Sequence, residues 1–298
     1  MSRIAFIGLG AMGAPMAANL VKGGREVMAF DLVPAAVERA VAEGCAPAAT
    51  IAQAVAEAEV VITMLPAGPQ VRQVYSHDVL PNAMSGALLV DCSTIAVETA
   101  RAVAALAADA GFRFADAPVS GGTAGAAAAS LTFMVGCGED DFAATAAALA
   151  PMARTVVHAG SAGAGQAAKI CNNMLLGVSM LGTCEAFALA EKLGLEWERF
   201  FEIASQSSGQ CWSLSVNCPV PGPVPASPAN RGYAPGFTTA MMLKDLKLAQ
   251  AAAASAGATT PMGAEAEALF ALFDGLGYGG KDFSAVIQLL RGRLSELA

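Results

Sequence analysis

Lys169 and Asn173 stand four residues apart in the run GAGQAAKICNN at positions 163–173. At 3.6 residues per turn, that spacing puts an ammonium and a carboxamide on one face of a helix, within reach of the same small molecule. The helix around them is apolar, with no charge between residues 174 and 184. A polar pair in such a setting is expensive to bury without a purpose. The plain alternative is a solvated helix lysine. Histidine chemistry has little support, because only His77 and His158 occur and neither lies near a second His or Cys. The glycines and alanines ahead of Lys169 read as clearance for a cofactor and a substrate.

The chemistry open to such a lysine is proton exchange with an alcohol. Oxidising an alcohol removes a hydride from carbon and a proton from oxygen, so one group must take the proton while a cofactor takes the hydride. Lysine has a reference pKa of about 10.4, and desolvation or a nearby cation lowers it. In the reverse direction the ammonium donates the proton. Asn173 is positioned to hold the alcohol oxygen. A second feature suits a carboxylate. In DAPVSGG at 116–122, Ser120, Gly121 and Gly122 follow a strand, and consecutive backbone N–H groups in such a turn form an anion-binding nest. A flexible surface turn is the competing reading.

The whole chain sets bounds on the setting of these groups. Its 298 residues are enough for two domains, each with its own core. A net charge of −8 without clustered Lys or Arg argues against a nucleic-acid partner. Seven scattered cysteines, odd in number and without Cys-x-x-Cys spacing, indicate a reducing compartment and no metal site. Residues 4–21 and 117–138 are apolar enough to imitate a leader or a span, but their glycines, with Ser120 and Thr123 in the second, favour strands and turns. The expectation is a soluble, cytoplasmic protein without a membrane partner.

The elements that position these residues fall into two textures. Short apolar runs at 4–8, 26–30, 60–64, 88–91, 113–115, 131–135 and 155–158 alternate with helical periodicity, beginning at 12–21 and at 34–41. This predicts an α/β fold, an N-terminal Rossmann-type doubly wound, mostly parallel sheet over residues 1–162. After residue 162 strands stop. Ala- and Leu-rich segments at 165–193, 196–205, 237–256, 263–276 and 284–297 predict an all-α domain over 163–298, joined by a long interdomain helix. The irregular stretch 207–235 is long enough to be functional. It contains Trp212, read either as packing at the domain interface over the substrate or as a core residue.

The fingerprint Gly8-Leu-Gly10-Ala-Met12-Gly13 lies between the first strand and the first helix, and Asp31 ends the second strand. The glycines serve the turn, the approach of a pyrophosphate and helix packing, while Asp31 accepts hydrogen bonds from ribose hydroxyls. Leu32 and Val33 offer no cation for a 2′-phosphate, so the expected cofactor is NAD rather than NADP. Leu65, Pro66 and Thr94 follow later strands at the edge where a dinucleotide runs, or belong to ordinary loops.

Taken together, the fingerprint, DAPVSGG, the 163–173 run and Lys244-Asp245 on a late helix closely resemble the β-hydroxyacid dehydrogenases, over essentially the whole chain. The resemblance implies Lys169 as catalytic residue and Ser120, Gly121, Gly122 and Asn173 as ligands of a small carboxylate substrate. It also implies Lys244 beside the cofactor with Asp245 orienting it, and a homodimer or homotetramer. One position departs from the pattern: relatives often carry tyrosine five residues after the tryptophan, where this chain has Asn217. L-serine, tartronate semialdehyde, glyoxylate and succinate semialdehyde remain open as substrates, as does a non-catalytic NAD(H) sensor.

Overall fold

The computed structural model describes residues 3–297. The chain divides into two compact units, Met1–Lys169 and Ile170–Ala298.

The first unit is a twisted sheet flanked by helices. Its strands are β1 (Arg3–Ile7), β2 (Glu26–Phe30), β3 (Ala46–Pro47), β4 (Val60–Thr63), β5 (Leu88–Asp91), β6 (Arg113–Asp116), β7 (Val119–Ser120), β8 (Leu131–Gly136) and β9 (Ala153–Gly160). The sheet order is β3-β2-β1-β4-β5-β6-β8-β7, with β9 also on β8. The pairs from β3 through β6 are parallel, and β8 runs antiparallel to β6 and β7. The order reverses between β1 and β4, which opens a crevice at their carboxyl ends.

Alternation along the strands explains the layers. Ile4 and Phe6 of β1 enter one core, with Met16 and Leu20 of helix α1 (Gly13–Lys22) and Ala36 and Ala40 of α2 (Pro34–Ala42). Ala5 and Ile7 face the opposite core, with Ile51 and Val55 of α3 (Ile51–Val55). Helix α4 (Gly68–Val74) places Val71 in that second core, and α5 (Val97–Asp109) adds Val103. Helices α6 (Gly122–Ala127) and α7 (Glu139–Leu149) complete the unit. The expected strands are all present, with two additions, β3 and β7, each two residues long.

Helix α8 (Ala164–Lys192) continues from the first unit into the second. Among the described residues it alone is long and apolar enough to cross a membrane by length and composition. Met180, Cys184 and Phe187 on it are buried in the second unit's core. That core is built with α9 (Trp197–Ala204), α10 (Trp212–Ser215), α11 (Thr239–Ala256), α12 (Pro261–Phe273) and α13 (Ile287–Leu290). The single helix expected over 284–297 is instead two 3-10 turns around the short α13, and Gly292, at φ +69°, stops the helix.

The irregular 207–235 stretch is tied down by Asp282. This buried carboxylate accepts from Asn217 Nδ2 (3.2 Å), from the amides of Gly236, Phe237 and Ser284 (3.1, 3.3 and 3.1 Å), and from Ser284 Oγ (2.7 Å). Asn217, the departure noted in the sequence, is therefore a buried structural amide. Removing the carboxylate leaves several buried donors unsatisfied. Asp282→Ala is expected to lose on the order of 3 kcal/mol of stability, measured as a lower urea midpoint at unchanged slope.

Candidate active site

The glycine-rich turn is shaped for a ligand at one of its three glycines. Gly8 adopts φ +96°, and a Cβ on it would lie 2.3 Å from Met64 O. A Cβ on Gly13 would lie 1.9 Å from Gly8 O, so the fold itself forbids a side chain at both. Gly10 is exposed, and a Cβ there would meet nothing within 4 Å. Its bareness serves no packing within the protein and leaves room for a pyrophosphate. Met12 is the N-cap of α1, with no side-chain capping bond and no acidic residue in the first turn, so the positive end of the helix dipole meets an anion unopposed. Asp31 braces the same turn. Its Oδ2 accepts from Leu9 N at 2.6 Å and its Oδ1 from Val33 N at 2.8 Å. Leu32 is 87% exposed beside it. The residues present fit a dinucleotide with a free 2′-hydroxyl.

Beneath the next two loops lies a buried polar chain. Thr63 Oγ1 and Ser93 Oγ donate to Asp91 Oδ1 at 2.7 and 2.6 Å, and Tyr75 Oη lies 3.1 Å from Thr63 Oγ1. Ser93 Oγ accepts in turn from Leu65 N at 2.8 Å. The Leu65 amide is thus committed within the protein, and Pro66 has none, so these two residues can offer a ligand only carbonyls and apolar surface. Thr94, half-buried, follows directly. Among the described residues no hydrogen-bond donor reaches Asp91 Oδ2. Burial pushes the Asp91 carboxyl up to about 6, against its hydrogen bonds to Ser93 and Thr63, with Asp116 adding to the rise.

Asp116, in register with Asp91 on the neighbouring strand, holds the start of α8. Its Oδ1 accepts from Gly163 N at 2.6 Å and its Oδ2 from Gln166 N at 2.8 Å, satisfying amides that a helix N-terminus leaves open. Desolvation raises the Asp116 carboxyl, and these amides pull it back. The glycines around it allow the approach. A Cβ on Gly165 would stand 2.3 Å from Met134 O, and one on Gly163, at φ +88°, 2.8 Å from Arg101 Cγ. This corrects the reading of Gly163 and Gly165 as clearance for ligands: Gly165 gives the helix contact with its own sheet, and Gly163 lies against α5.

One turn further along, Lys169 is 7% exposed and its Nζ donates to Val119 O at 2.8 Å. Val119 immediately precedes Ser120, Gly121 and Gly122. Gly121 (φ +132°) caps α6, and no side chain caps that helix. The structure thus brings together the lysine and the carboxylate-binding turn predicted from sequence. Asn173, a turn beyond Lys169 on α8, is buried and donates to Asp245 Oδ2 at 2.6 Å. Lys244 Nζ lies 3.5 Å from Asp245 Oδ1. Trp212 starts α10 and is 50% exposed, which excludes the core alternative for it.

Other candidates stay outside. His158 Nε2 is bonded to Cys137 O and its ring stacks on Phe142, while His77 contacts Gln73 O. All seven cysteines are free thiols. Among the described residues no group of His, Cys, Asp and Glu could hold a metal. Sequence reasoning missed Gln166, Asp91 and the capping role of Asp116. The partners of Gln166 and Asp116 lie far along the chain, and Asp91 joins the local Ser93 to the distant Thr63, so no local motif marks them.

This architecture and site define a nicotinamide-dependent dehydrogenase. Residues 3–160 match the family described as the NAD binding domain of 6-phosphogluconate dehydrogenase, and residues 163–290 that described as the NAD-binding domain of NADP-dependent 3-hydroxyisobutyrate dehydrogenase. The 3-hydroxyisobutyrate dehydrogenase of Pseudomonas aeruginosa is 50% identical, covering 98% of this chain and 100% of the relative. The NAD-dependent L-serine dehydrogenase of the same organism is 48% identical over 97% and 98%. A solved structure of Mycobacterium tuberculosis 3-hydroxyisobutyrate dehydrogenase with L-serine superposes with a TM-score of 0.94 at 52% identity, over 98% of this chain and 99% of that one. The chain belongs to the 3-hydroxyisobutyrate dehydrogenase family of β-hydroxyacid dehydrogenases, and it is an NAD-dependent hydroxyacid dehydrogenase.

Two outcomes follow from the geometry. Gly10→Ala should unfold at the wild-type temperature yet bind NADH at least about tenfold more weakly, whereas Gly13→Ala should not yield a stable protein; calorimetry and NADH fluorescence titration check both. For Asp91 the folded carboxyl titrates near 6 and the unfolded one near its ordinary 3.9. Between these values the native state holds a proton that the unfolded state has lost, so stability falls as pH rises from about 4 through 6. Asp91→Asn should lack this slope and gain about 2 kcal/mol on wild type between pH 4.5 and 7.5, as read by urea unfolding at both values.

Proposed function

We propose that this enzyme oxidises 3-hydroxyisobutyrate to methylmalonate semialdehyde, a step of valine degradation, with Lys169 as general acid/base. The observation that carries the reading is the bond from Lys169 Nζ to the carbonyl of Val119, the residue before the Ser120 turn. It ties the proton-transfer group to the strand that leads into the carboxylate-binding turn. Bound NAD supplies the hydride acceptor for C3.

Each side chain has a defined task in this scheme. A neutral Lys169 amine keeps an N–H for Val119 O while its lone pair takes the alcohol proton; in reduction the ammonium returns it. The Ser120 hydroxyl and the Gly121 and Gly122 amides hold the substrate carboxylate, which fixes the carbon presented for hydride loss. Asn173 orients the alcohol oxygen while Asp245 anchors its carboxamide. Trp212 as a substrate contact, and Lys244 and Asp245 as cofactor contacts, rest on the family resemblance alone.

A second substrate has specific support. L-serine has the same hydroxymethyl and carboxylate groups, it is named for the relative at 48% identity, and it accompanies the Mycobacterium tuberculosis structure. Initial rates with 3-hydroxyisobutyrate, L-serine and glycerate, each with NAD and NADP, test the assignment. A kcat/KM for L-serine above that for 3-hydroxyisobutyrate would overturn the first substrate and keep the reaction. No turnover with any, despite NADH binding, would favour a sensor. Lys169→Ala should lower kcat by at least about a thousandfold with NADH affinity within about threefold of wild type; near-normal turnover would end the mechanism.

We further propose a cytoplasmic homodimer or homotetramer that associates through the second unit. Leu175 and Leu189 on α8 and Leu193 just past its end are 66%, 59% and 75% exposed, an apolar patch that a second copy would cover. Sedimentation equilibrium tests it, and a monomer at micromolar concentration would refute it.

A further inference from the structure

Gln166 is fully buried in the first turn of α8, and its carboxamide is used at both ends. Nε2 donates to Ser93 O at 2.7 Å and Oε1 accepts from Ile95 N at 3.1 Å, so the two bonds grip the main chain on either side of Thr94. The backbone amide of Gln166 is itself fixed by Asp116. Lys169 follows three residues later, on the same side of the helix.

We infer that Gln166 is a positioning residue that sets the loop carrying Thr94, the nicotinamide end of the cofactor site, in register with Lys169. The inference rests on the reaction proposed above. Three features support it. A carboxamide of this length is the one side chain that can both donate to a carbonyl and accept from an amide two residues on; asparagine is a methylene too short, and glutamate can only accept when ionised. The tie is not needed to hold the helix, because Asp116 already binds the amides of Gly163, just ahead of it, and of Gln166 in its first turn, and Gly165 brings it against β8. The loop's other anchor, Ser93 Oγ on Asp91, fixes the strand end but not the distance to α8. Gln166 alone among these groups joins the loop to the helix that bears the lysine. Hydride and proton leave the same alcohol, so an error in that distance degrades the reaction while each ligand still binds.

The test uses the full-length enzyme with NAD and 3-hydroxyisobutyrate, or L-serine if that is the faster substrate. Gln166→Glu removes the donor and Gln166→Met removes both bonds at similar volume. If one of them does not fold, the other carries the test. The expected result is a kcat lower by about 10- to 100-fold with KM and the NADH dissociation constant within about threefold of wild type. A larger primary deuterium isotope effect on kcat should accompany it with substrate deuterated at C3. The inference is overturned if both variants keep kcat within about twofold, or if kcat falls only in proportion to the fraction that folds and binds NADH. Lys169→Ala, assayed alongside, separates the two claims. Full activity in that variant ends the proposed mechanism, whereas an inactive Lys169→Ala beside wild-type Gln166 variants ends the positioning role alone.

Discussion

A buried carboxylate facing main-chain amides sets the geometry of the first unit's reactive edge. Taking Asp116 out of water is unfavourable, and its carboxyl is raised by that burial. What offsets the cost is the open end of α8, whose amides at Gly163 and Gln166 have no partner within the helix and whose dipole favours a negative charge. Each side resolves the other's deficit. The consequence is positional: α8 starts at a defined point over the carboxyl end of β6, and the side chain one turn on, Lys169, reaches the carbonyl of Val119. Bulk would break the arrangement, since a Cβ on Gly136 would stand 2.5 Å from Asp116 Oδ1.

Asp91 and Asp116 are register neighbours on parallel strands, so two carboxylates sit side by side in an apolar sheet. A negative charge on Asp116 raises the proton affinity of Asp91, and the two carboxylates have separate tasks. Asp116 looks outward to a helix. Asp91 looks to hydroxyls, with Thr63 and Ser93 on one of its oxygens, and that choice draws the Leu65 and Ser93 loops together through Ser93 Oγ. The edge where a nicotinamide is expected therefore stands on a fixed polar framework with few mobile groups. Such rigidity matters for hydride transfer, where rate depends on alignment more than on any single contact.

Much of this was legible in the chain because the informative groups are local. The fingerprint, Asp31 and the DAPVSGG turn each lie within one strand-to-loop transition, and the unbroken apolar runs of β1, β4 and β5 mark strands buried on both faces. The two-residue strands β3 and β7 have too few residues to show a period. The broken helix near the C-terminus has a helical composition through residue 291, and only the left-handed Gly292 ends it. The glycines before Lys169 pointed to a close approach but not to what approaches, which proved to be Met134 O and Asp116. Gln166 carried no signal, because its meaning lies in atoms about seventy residues away along the chain.

Asn217 bears on substrate choice in an unexpected way. At a position where relatives often place a tyrosine, its amide is buried and bonded to Asp282, so its side chain supports the 207–235 stretch. In the proposed reaction, selection between 3-hydroxyisobutyrate and L-serine then falls on the groups that meet C2, where one acid has a methyl and the other an ammonium. These two demands oppose each other. A pocket wall without acceptors strips water from the ammonium at high cost, while a wall with a buried acceptor leaves that acceptor unpaired against the methyl. A single oxygen at that wall would be enough to exchange the preference between the two acids.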